Sequence, residues 1–249
     1  MLELNGCELL DNVICLGESF IASVSDSFVA SPHKHPVIEI YCACDANSRV
    51  QSDGSIVQGQ MIVIGHDALH AIRDNGKRGL VIFVDTLSEC GYAIKENLLK
   101  GDRYCVVSND EIKAKVSALC SEPREASVLA ACGEIIETLR GKHIDRPFCE
   151  AVMQALEHIC DENEDFTMQS LADKVHLSKS RLAHLFSQHT GITLKSYLQF
   201  KRLEKAFRLV VKGSNITDAA YDTGFSGSAH ISSSGRKLTG MQLRKLLNL

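Results

Sequence analysis

Residues 167–186, TMQSLADKVHLSKSRLAHLF, and residues 215–231, NITDAAYDTGFSGSAHI, follow one helix–turn–helix pattern. In each copy, a capping residue is followed three positions later by a side chain that can reach back to it. A small alanine then permits close helix packing, and four residues later comes a turn position that favours positive φ. A serine is expected to cap the second helix, in which an apolar residue faces inward. These positions are Thr167, Ser170, Ala172, His176, Ser178 and Leu182 in the first copy, and Asn215, Asp218, Ala220, Gly224, Ser226 and Ile231 in the second.

The charge of the chain is divided unequally along its length. Residues 166–249 carry 13 Lys and Arg against 4 Asp and Glu, whereas residues 1–165 carry 14 against 27. The basic residues coincide with the helix–turn–helix copies, which favours nucleic acid as the partner of this part over a merely solvated face. The length of 249 residues and a hydrophobic content of 45% allow two domains with sizeable cores.

The composition also indicates the compartment. The sequence contains neither a bilayer-spanning apolar stretch nor an N-terminal run typical of a signal peptide, so we expect a cytoplasmic protein without a membrane partner. The ten cysteines are then expected to be thiols rather than a disulfide framework. Since they form no Cys-x-x-Cys pair, a zinc finger is not expected.

Short apolar runs in the first hundred residues predict strands. Turn signals at Asp53-Gly54, Gln58-Gly59 and Asn75-Gly76 separate several of them. Many short strands at close spacing predict an antiparallel barrel or jelly roll over residues 1–107. The runs lie at 13–16, 20–24, 37–41, 61–64 and 80–84.

Within this part, the run His33-Lys-His35-Pro-Val-Ile-Glu39 is followed by His70. On one strand, the even spacing places His33, His35 and Glu39 on the same face. The pattern resembles the cupin motifs, although Gly65 and Asp67 stand where the second motif normally has Pro and Gly. The resemblance implies that the four residues hold a divalent metal such as Mn, Fe, Ni or Zn, or, in a metal-free sensory cupin, a small-molecule ligand.

Residues 108–162 are expected to form helices for dimerisation and linkage. Apolar stripes predict helices at 111–120, 126–139 and 148–159, the second ending at Gly141. The acidic run 161–165 is predicted to be a solvated linker, and the boundary to a DNA-binding domain at 163–249 is placed within it.

Cys42 and Cys44 should share the face of their strand that is opposite Glu39. Two interpretations of this pair remain open, namely two buried small side chains or a redox-sensing pair of thiols.

The tail resembles the AraC/XylS family of bacterial transcription regulators. The resemblance covers about residues 160–249 and depends on Arg202-Leu-Glu-Lys-Ala206, Ala219-Ala-Tyr-Asp-Thr-Gly-Phe225 and Lys237-Leu-Thr-Gly-Met241. It implies an α+β two-domain chain, in which a cupin-like sensor precedes an all-α domain whose two recognition helices enter successive major grooves. The partners that it implies are promoter DNA, a small-molecule effector or metal, a second copy of the chain and RNA polymerase.

Outward positions of the two recognition helices are the candidate DNA contacts. Several of these side chains can bind phosphates or base edges. The second helix departs from the family pattern, since Ile231 and Gly235 replace aromatic residues. We therefore expect this recognition helix to be less stable and less base-specific than the first. The candidates are Lys179, Ser180, Arg181 and His184 in the first helix, and Ser228, Ser232, Arg236 and Lys237 in the second.

The leading interpretation is a DNA-binding regulator rather than an enzyme. The alternative is a cupin metalloenzyme, an oxygenase or isomerase, that uses the His/His/Glu/His set. A third interpretation is a regulator that responds to a partner protein or to thiol oxidation. The identity of the effector, the operator sequence and the sign of regulation stay open at this point.

Overall fold

The front part of the molecule is a sandwich of two antiparallel sheets. A computed structural model describes residues 12–26, 28–74, 78–161 and 166–241. The larger sheet has the order β1-β2-β9-β4-β7-β10 and the smaller one β3-β8-β5-β6. In the described residues the sheets do not close into a barrel, so the jelly-roll form of the prediction holds. The strands are β1 Val13–Leu16, β2 Phe20–Ser25, β3 Phe28–His33, β4 Ile38–Ala43, β5 Ser48–Ser52, β6 Ser55–Gly59, β7 Met61–Ile64, β8 His70–Asp74, β9 Gly79–Val84 and β10 Tyr104–Val107.

The central strand β4 shows how the two faces of the larger sheet are used. Ile40 and Cys42 point to a core shared with helices, whereas Tyr41 and Ala43 point to the core between the sheets. This alternation follows from the period of two in a strand. Glu39 is in phase with Tyr41, and it therefore lies between the sheets.

All five predicted strand runs are strands, but the sequence patterns did not reveal β3, β5, β6, β8 and β10. Val50 is the one apolar residue of β5, and Pro32 interrupts β3. The Asp53-Gly54 turn has φ of 50° and 78°, as its hairpin requires. The predicted Asn75-Gly76 turn lies outside the described residues.

Helices follow and flank the sandwich. The helices α2 and α3 cover the outer face of the larger sheet, and Gly141 ends α3 with φ 66°, as predicted. The helix α1 was not predicted, and it continues as a π-helical turn over Lys95–Leu99. The helices are α1 Glu89–Ile94, α2 Asp110–Ser121, α3 Glu125–Arg140, α4 Glu150–Cys160, α5 Met168–Lys174, α6 Lys179–Thr190, α7 Leu194–Val211, α8 Ile216–Asp222 and α9 Ser228–Thr239.

One cysteine pair corrects the prediction that all cysteines are thiols. Cys44, just after β4, forms a disulfide with Cys120 of α2, and their Cα atoms are 6.3 Å apart. The two cysteines are 76 residues apart, so no local sign in the sequence indicates that they pair. They meet because α2 packs across the end of β4. Cys42 remains a free buried thiol, so Cys42 and Cys44 do not pair with each other as a redox couple.

The tail forms the two predicted helix–turn–helix units, α5–α6 and α8–α9, which the long helix α7 joins. The turn residues His176 and Gly224 have φ of 54° and 79°, which confirms the expected left-handed turns. Thr167 and Ser170 form a reciprocal capping box at the start of α5. The helix α4 packs against α5 and α6, with Val152, Leu156 and Ile159 buried in their core.

The cap of the last helix differs from the prediction. Gly227, with φ 144°, precedes α9 and provides no side-chain cap. The hydroxyl of Ser226 instead lies 3.1 Å from Nδ1 of His230. The predicted serine cap at this position is therefore wrong, because Gly227 adds one residue between Ser226 and the first residue of α9.

The sandwich and the tail pack against each other at α7 and α9. Phe200, Leu203 and Phe207 of α7 and Leu238 of α9 belong to the same apolar cluster as the core between the sheets. Among the described residues, no helix has both the length and the apolar character needed to cross a membrane.

Candidate functional site

Four buried polar residues meet between the two sheets. His33 ends β3 and is the cross-strand partner of His70 at the start of β8. His35 lies in the link to β4, which carries Glu39. Each is at most 5% exposed, so the fold brings together all four residues that the cupin-like pattern singled out.

The turn that carries His70 forms despite its departure from the cupin pattern. Asp67 takes the left-handed conformation, with φ 56°, which aspartate tolerates better than most residues. Its N–H donates to the carbonyl of His35 at 2.7 Å and so ties the two histidine-bearing loops together. His66 is not a member of the cluster, as expected for a loop residue.

Backbone carbonyls determine the tautomer of each histidine. The Nδ1 atoms of His33, His35 and His70 lie 2.9, 2.9 and 2.8 Å from the carbonyls of Ser31, Val37 and Ala68, respectively. Because a carbonyl can only accept, each Nδ1 carries a proton. In the neutral imidazole, Nε2 then offers a lone pair.

All three Nε2 atoms converge on Glu39. Its Oε2 atom is 2.9 Å from Nε2 of His35, 3.0 Å from Nε2 of His70 and 3.7 Å from Nε2 of His33. The Nε2 atom of His33 is buried and has no hydrogen-bond partner. Lone pairs that face a carboxylate repel it unless a proton or a cation lies between them.

The pKa shifts within the cluster indicate that Glu39 is ionised beside the three imidazoles. Burial alone would raise the pKa of Glu39, but the three imidazoles, His70 foremost, hold that pKa well below its usual value. Burial lowers the pKa of His35 despite its contact with Glu39. Burial also acts to lower the pKa of His70, but the Glu39 carboxylate outweighs it and the net shift is upward. The site therefore keeps an ionised carboxylate inside the fold.

The donor set fits a divalent cation. One ligand atom from each of the four residues lies within 4.8 Å of the others. Imidazole nitrogens with one carboxylate oxygen suit Zn, Fe, Mn or Ni, and an N–H donated to a carbonyl is the usual support of a metal-binding histidine.

The first recognition helix, α6, presents its predicted contacts to solvent. Lys179, Ser180, Arg181 and His184 are exposed, whereas Leu182 and Phe186 are buried. Ser178 caps the helix by accepting from the N–H of Arg181. This cap fixes Arg181 in the first turn of α6, the part of a recognition helix that usually contacts the major groove of DNA.

The second recognition helix, α9, presents a smaller polar surface. Arg236 and Lys237 are exposed, whereas Ser228 and Ser232 are half-buried. Gly235 lies in the buried face, where it offers no side chain to the core.

Sequence reasoning missed a charged joint between the sandwich and α7. Oδ2 of Asp85, at the end of β9, accepts from the Tyr197 hydroxyl at 2.8 Å and from Nζ of Lys201 at 3.3 Å. Lys201 also contacts Glu204 at 2.6 Å, and Arg208 donates to the Gly17 carbonyl at 2.7 Å. Nothing local in the sequence pairs residues more than one hundred positions apart, so only the tertiary fold reveals this joint.

Comparisons with known proteins agree with the tail's geometry. A family model described as a helix–turn–helix domain matches residues 171–248. The arabinose operon regulatory protein of Escherichia coli (strain K12) is 32% identical over 99 residues, which are 39% of this chain and 33% of that protein. The transcriptional activator RhaS of Citrobacter koseri is 39% identical over 75 residues, which are 30% of this chain and 27% of that protein. The matches thus span about a third or less of these relatives.

The whole chain also resembles a solved structure. ToxT from Vibrio cholerae aligns with a TM-score of 0.55 and 10% identity, over 92% of this chain and 98% of that one. At this identity the likeness establishes the fold, a strand-rich front part followed by a helical tail.

The paired helix–turn–helix units and their family match define a DNA-binding domain. Over this domain the tail is similar to the arabinose operon regulatory protein and to RhaS, in agreement with the resemblance found in the sequence.

Proposed function

We propose that the protein is a transcription regulator that binds promoter DNA through α6 and α9. The basic, exposed surface of α6, presented by a properly capped helix–turn–helix, carries this proposal. Exposed Lys and Arg supply the phosphate contacts, and Arg181 can read guanine from the helix start. We propose that a second copy of the chain and RNA polymerase are its protein partners.

We further propose that the cluster of His33, His35, Glu39 and His70 is the sensor site and that its ligand is a divalent cation. The support is the three Nε2 lone pairs aimed at one carboxylate, an arrangement that a cation stabilises. The three Nε2 lone pairs and one Glu39 oxygen would hold a bound metal, which would supply a positive charge opposite the buried carboxylate. In the free protein, the histidines must instead take up protons or shift away from Glu39.

An organic effector is the second candidate for the sensor site. A ToxT structure is described as bound to an unsaturated fatty acid. In this chain, a small molecule with hydrogen-bond donors could replace the cation at Glu39 and the buried Nε2 atom of His33.

The proposed metal site and the proposed DNA binding are tested by separate experiments. Elemental analysis of the purified protein should find one metal ion per chain, and a His33→Ala/His35→Ala variant should lose it. His66→Ala is the control, because that residue lies in the link between β7 and β8, close in sequence to His70 but outside the cluster. Absence of metal from a folded, unaltered protein after zinc addition would contradict the cation and leave the organic effector.

DNA selection from a randomised duplex library tests the regulator itself. The protein should enrich a defined sequence, and Arg181→Ala should weaken that enrichment. Turnover of candidate cupin substrates by the metal-loaded protein, combined with no DNA enrichment, would instead support a metalloenzyme.

A further inference from the structure

The end of the second recognition helix lies against the strand that carries His33. Gly240 caps the C-terminus of α9, and its carbonyl accepts from the N–H of Ser31 in β3 at 3.1 Å. The carbonyl of the same Ser31 accepts from Nδ1 of His33 at 2.9 Å. One residue of β3 therefore connects the DNA-reading helix to a side chain of the sensor site.

A local irregularity of β3 makes this connection available. The pairing of β3 with β8 shifts register between Ala30 and His33. Such an irregularity leaves backbone groups unpaired in the ladder, and Pro32 has no N–H to offer. The N–H of Ser31 is consequently free to bind Gly240.

The contact is close enough to require a glycine. A Cβ atom at residue 240 would lie 2.5 Å from the Ser31 carbonyl oxygen, 2.6 Å from Nδ1 of His33 and 3.0 Å from Cβ of Ala30. These distances are too short, and two of the three atoms are those that set the orientation of His33. Gly240 also has φ 66°, a left-handed conformation that glycine adopts readily.

We propose that Gly240 is a positioning residue for the sensor site, so that metal occupancy and the docking of α9 on β3 are coupled. This inference rests on the proposed metal site. The Gly240 carbonyl of the docked helix accepts from the N–H of Ser31 and so fixes this residue, whose own carbonyl orients His33 with its Nε2 atom toward Glu39. Because coupling between two sites is reciprocal, metal binding must stabilise the docked position of α9 by the same factor by which docking strengthens metal binding.

The test compares two glycines of the same helix–turn–helix. Gly240→Ala introduces both a left-handed alanine and the clash with β3. Gly224→Ala is the matched control, since Gly224 has φ 79° and nothing within 4 Å of an added Cβ. Zinc affinity of each full-length variant is measured by competition with a chelator. We expect Gly240→Ala to lose about 10-fold or more, the range for residues that support a metal ligand, and Gly224→Ala to stay close to the unaltered protein.

A second measurement needs no variant. Zinc should slow amide hydrogen exchange in the last turn of α9 and leave exchange in α6 unchanged. This distinguishes coupling from a general loss of stability if both variants are poorly folded.

The outcomes separate this inference from the metal site. Suppose that the unaltered protein binds zinc. If Gly240→Ala then binds zinc as tightly as Gly224→Ala, or if zinc leaves amide exchange in α9 unchanged, the coupling is refuted and the proposed metal site stands. If the unaltered protein binds no zinc, both are refuted. Selective loss in Gly240→Ala, together with slower exchange in α9, supports the coupling. The effect of zinc on DNA affinity should then shrink in Gly240→Ala and persist in Gly224→Ala.

Discussion

Replacing Lys201 by Met tests whether the sandwich and the DNA-binding domain are joined through a buried charge. Lys201 is 11% exposed at its side chain and lies between Asp85, 7% exposed, and Glu204, 6% exposed. Burial opposes its charge, but the two carboxylates outweigh burial and raise the pKa of Lys201 above its usual value. The residue is therefore charged near neutral pH.

Methionine keeps the apolar stem of this side chain but leaves two buried carboxylates without their shared cation. Removing one partner of a buried ion pair typically costs about 3–5 kcal/mol. Arg208 still reaches Glu204, and Tyr197 still donates to Asp85, which places the expected loss of unfolding free energy near 3 kcal/mol, the low end of that range.

Urea unfolding followed by far-ultraviolet circular dichroism measures this loss. Lys195→Met is the matched control on the same helix, because Lys195 is exposed and should change stability by less than about 0.5 kcal/mol. Adding Glu204→Gln to the Lys201→Met variant removes one of the two buried negative charges and should recover part of the loss. If Lys201→Met costs no more than Lys195→Met, the joint is solvated and the reasoning fails.

Three further predictions concern the reader, the disulfide and a strained turn. Arg181→Ala should relax base preference at a cost of about 1–3 kcal/mol, whereas Arg236→Ala should weaken all sequences alike; equal relaxation in library selection would contradict the lower base specificity expected of the second helix. Cys120→Ser should lower the unfolding free energy of the oxidised protein by up to about 4.5 kcal/mol, the loop-closure value for a separation of 76 residues, and a loss that persists under reductant would argue against the bridge. His176→Gly should stabilise the first turn by about 1 kcal/mol or less, because His176 is left-handed. His184→Gly, within a helix, should instead destabilise by roughly 0.5 kcal/mol in the same thermal-melt comparison.

The helix–turn–helix units and the His/Glu cluster could be predicted because their determinants are local. Capping residues, turn residues and apolar stripes act within a few positions, and the turn at His176 formed as the pattern requires. His33, His35 and Glu39 do meet, but the predicted reason, even spacing on one strand, is wrong, because His33 ends β3, His35 lies in the following link and Glu39 lies in β4. His70 is the one member of the cluster that is distant in sequence, 31 positions after Glu39.

Contacts that depend on the packing of distant elements could not be predicted. The Cys44–Cys120 bridge requires α2 to cross the end of β4, and the Asp85 joint requires α7 to lie on the sandwich. Neither leaves a periodic pattern, because each involves single residues. The weakly patterned strands were missed for a related reason, since polar residues on an exposed face lower their apolar signal.

The low stability predicted for the second recognition helix and the contact with β3 both belong to α9. Gly235 and the serines at 232–234 give α9 low intrinsic propensity, and Gly227 leaves its start without a side-chain cap. A helix of this kind depends on external contacts for its order, and the contact of Gly240 with β3 supplies one. The helix α6, by contrast, has its own serine cap and packs on α4 and α5. If the proposed coupling holds, a ligand in the sandwich should therefore bias α9 more readily than α6, because α9 has the weaker intrinsic order of the two helices.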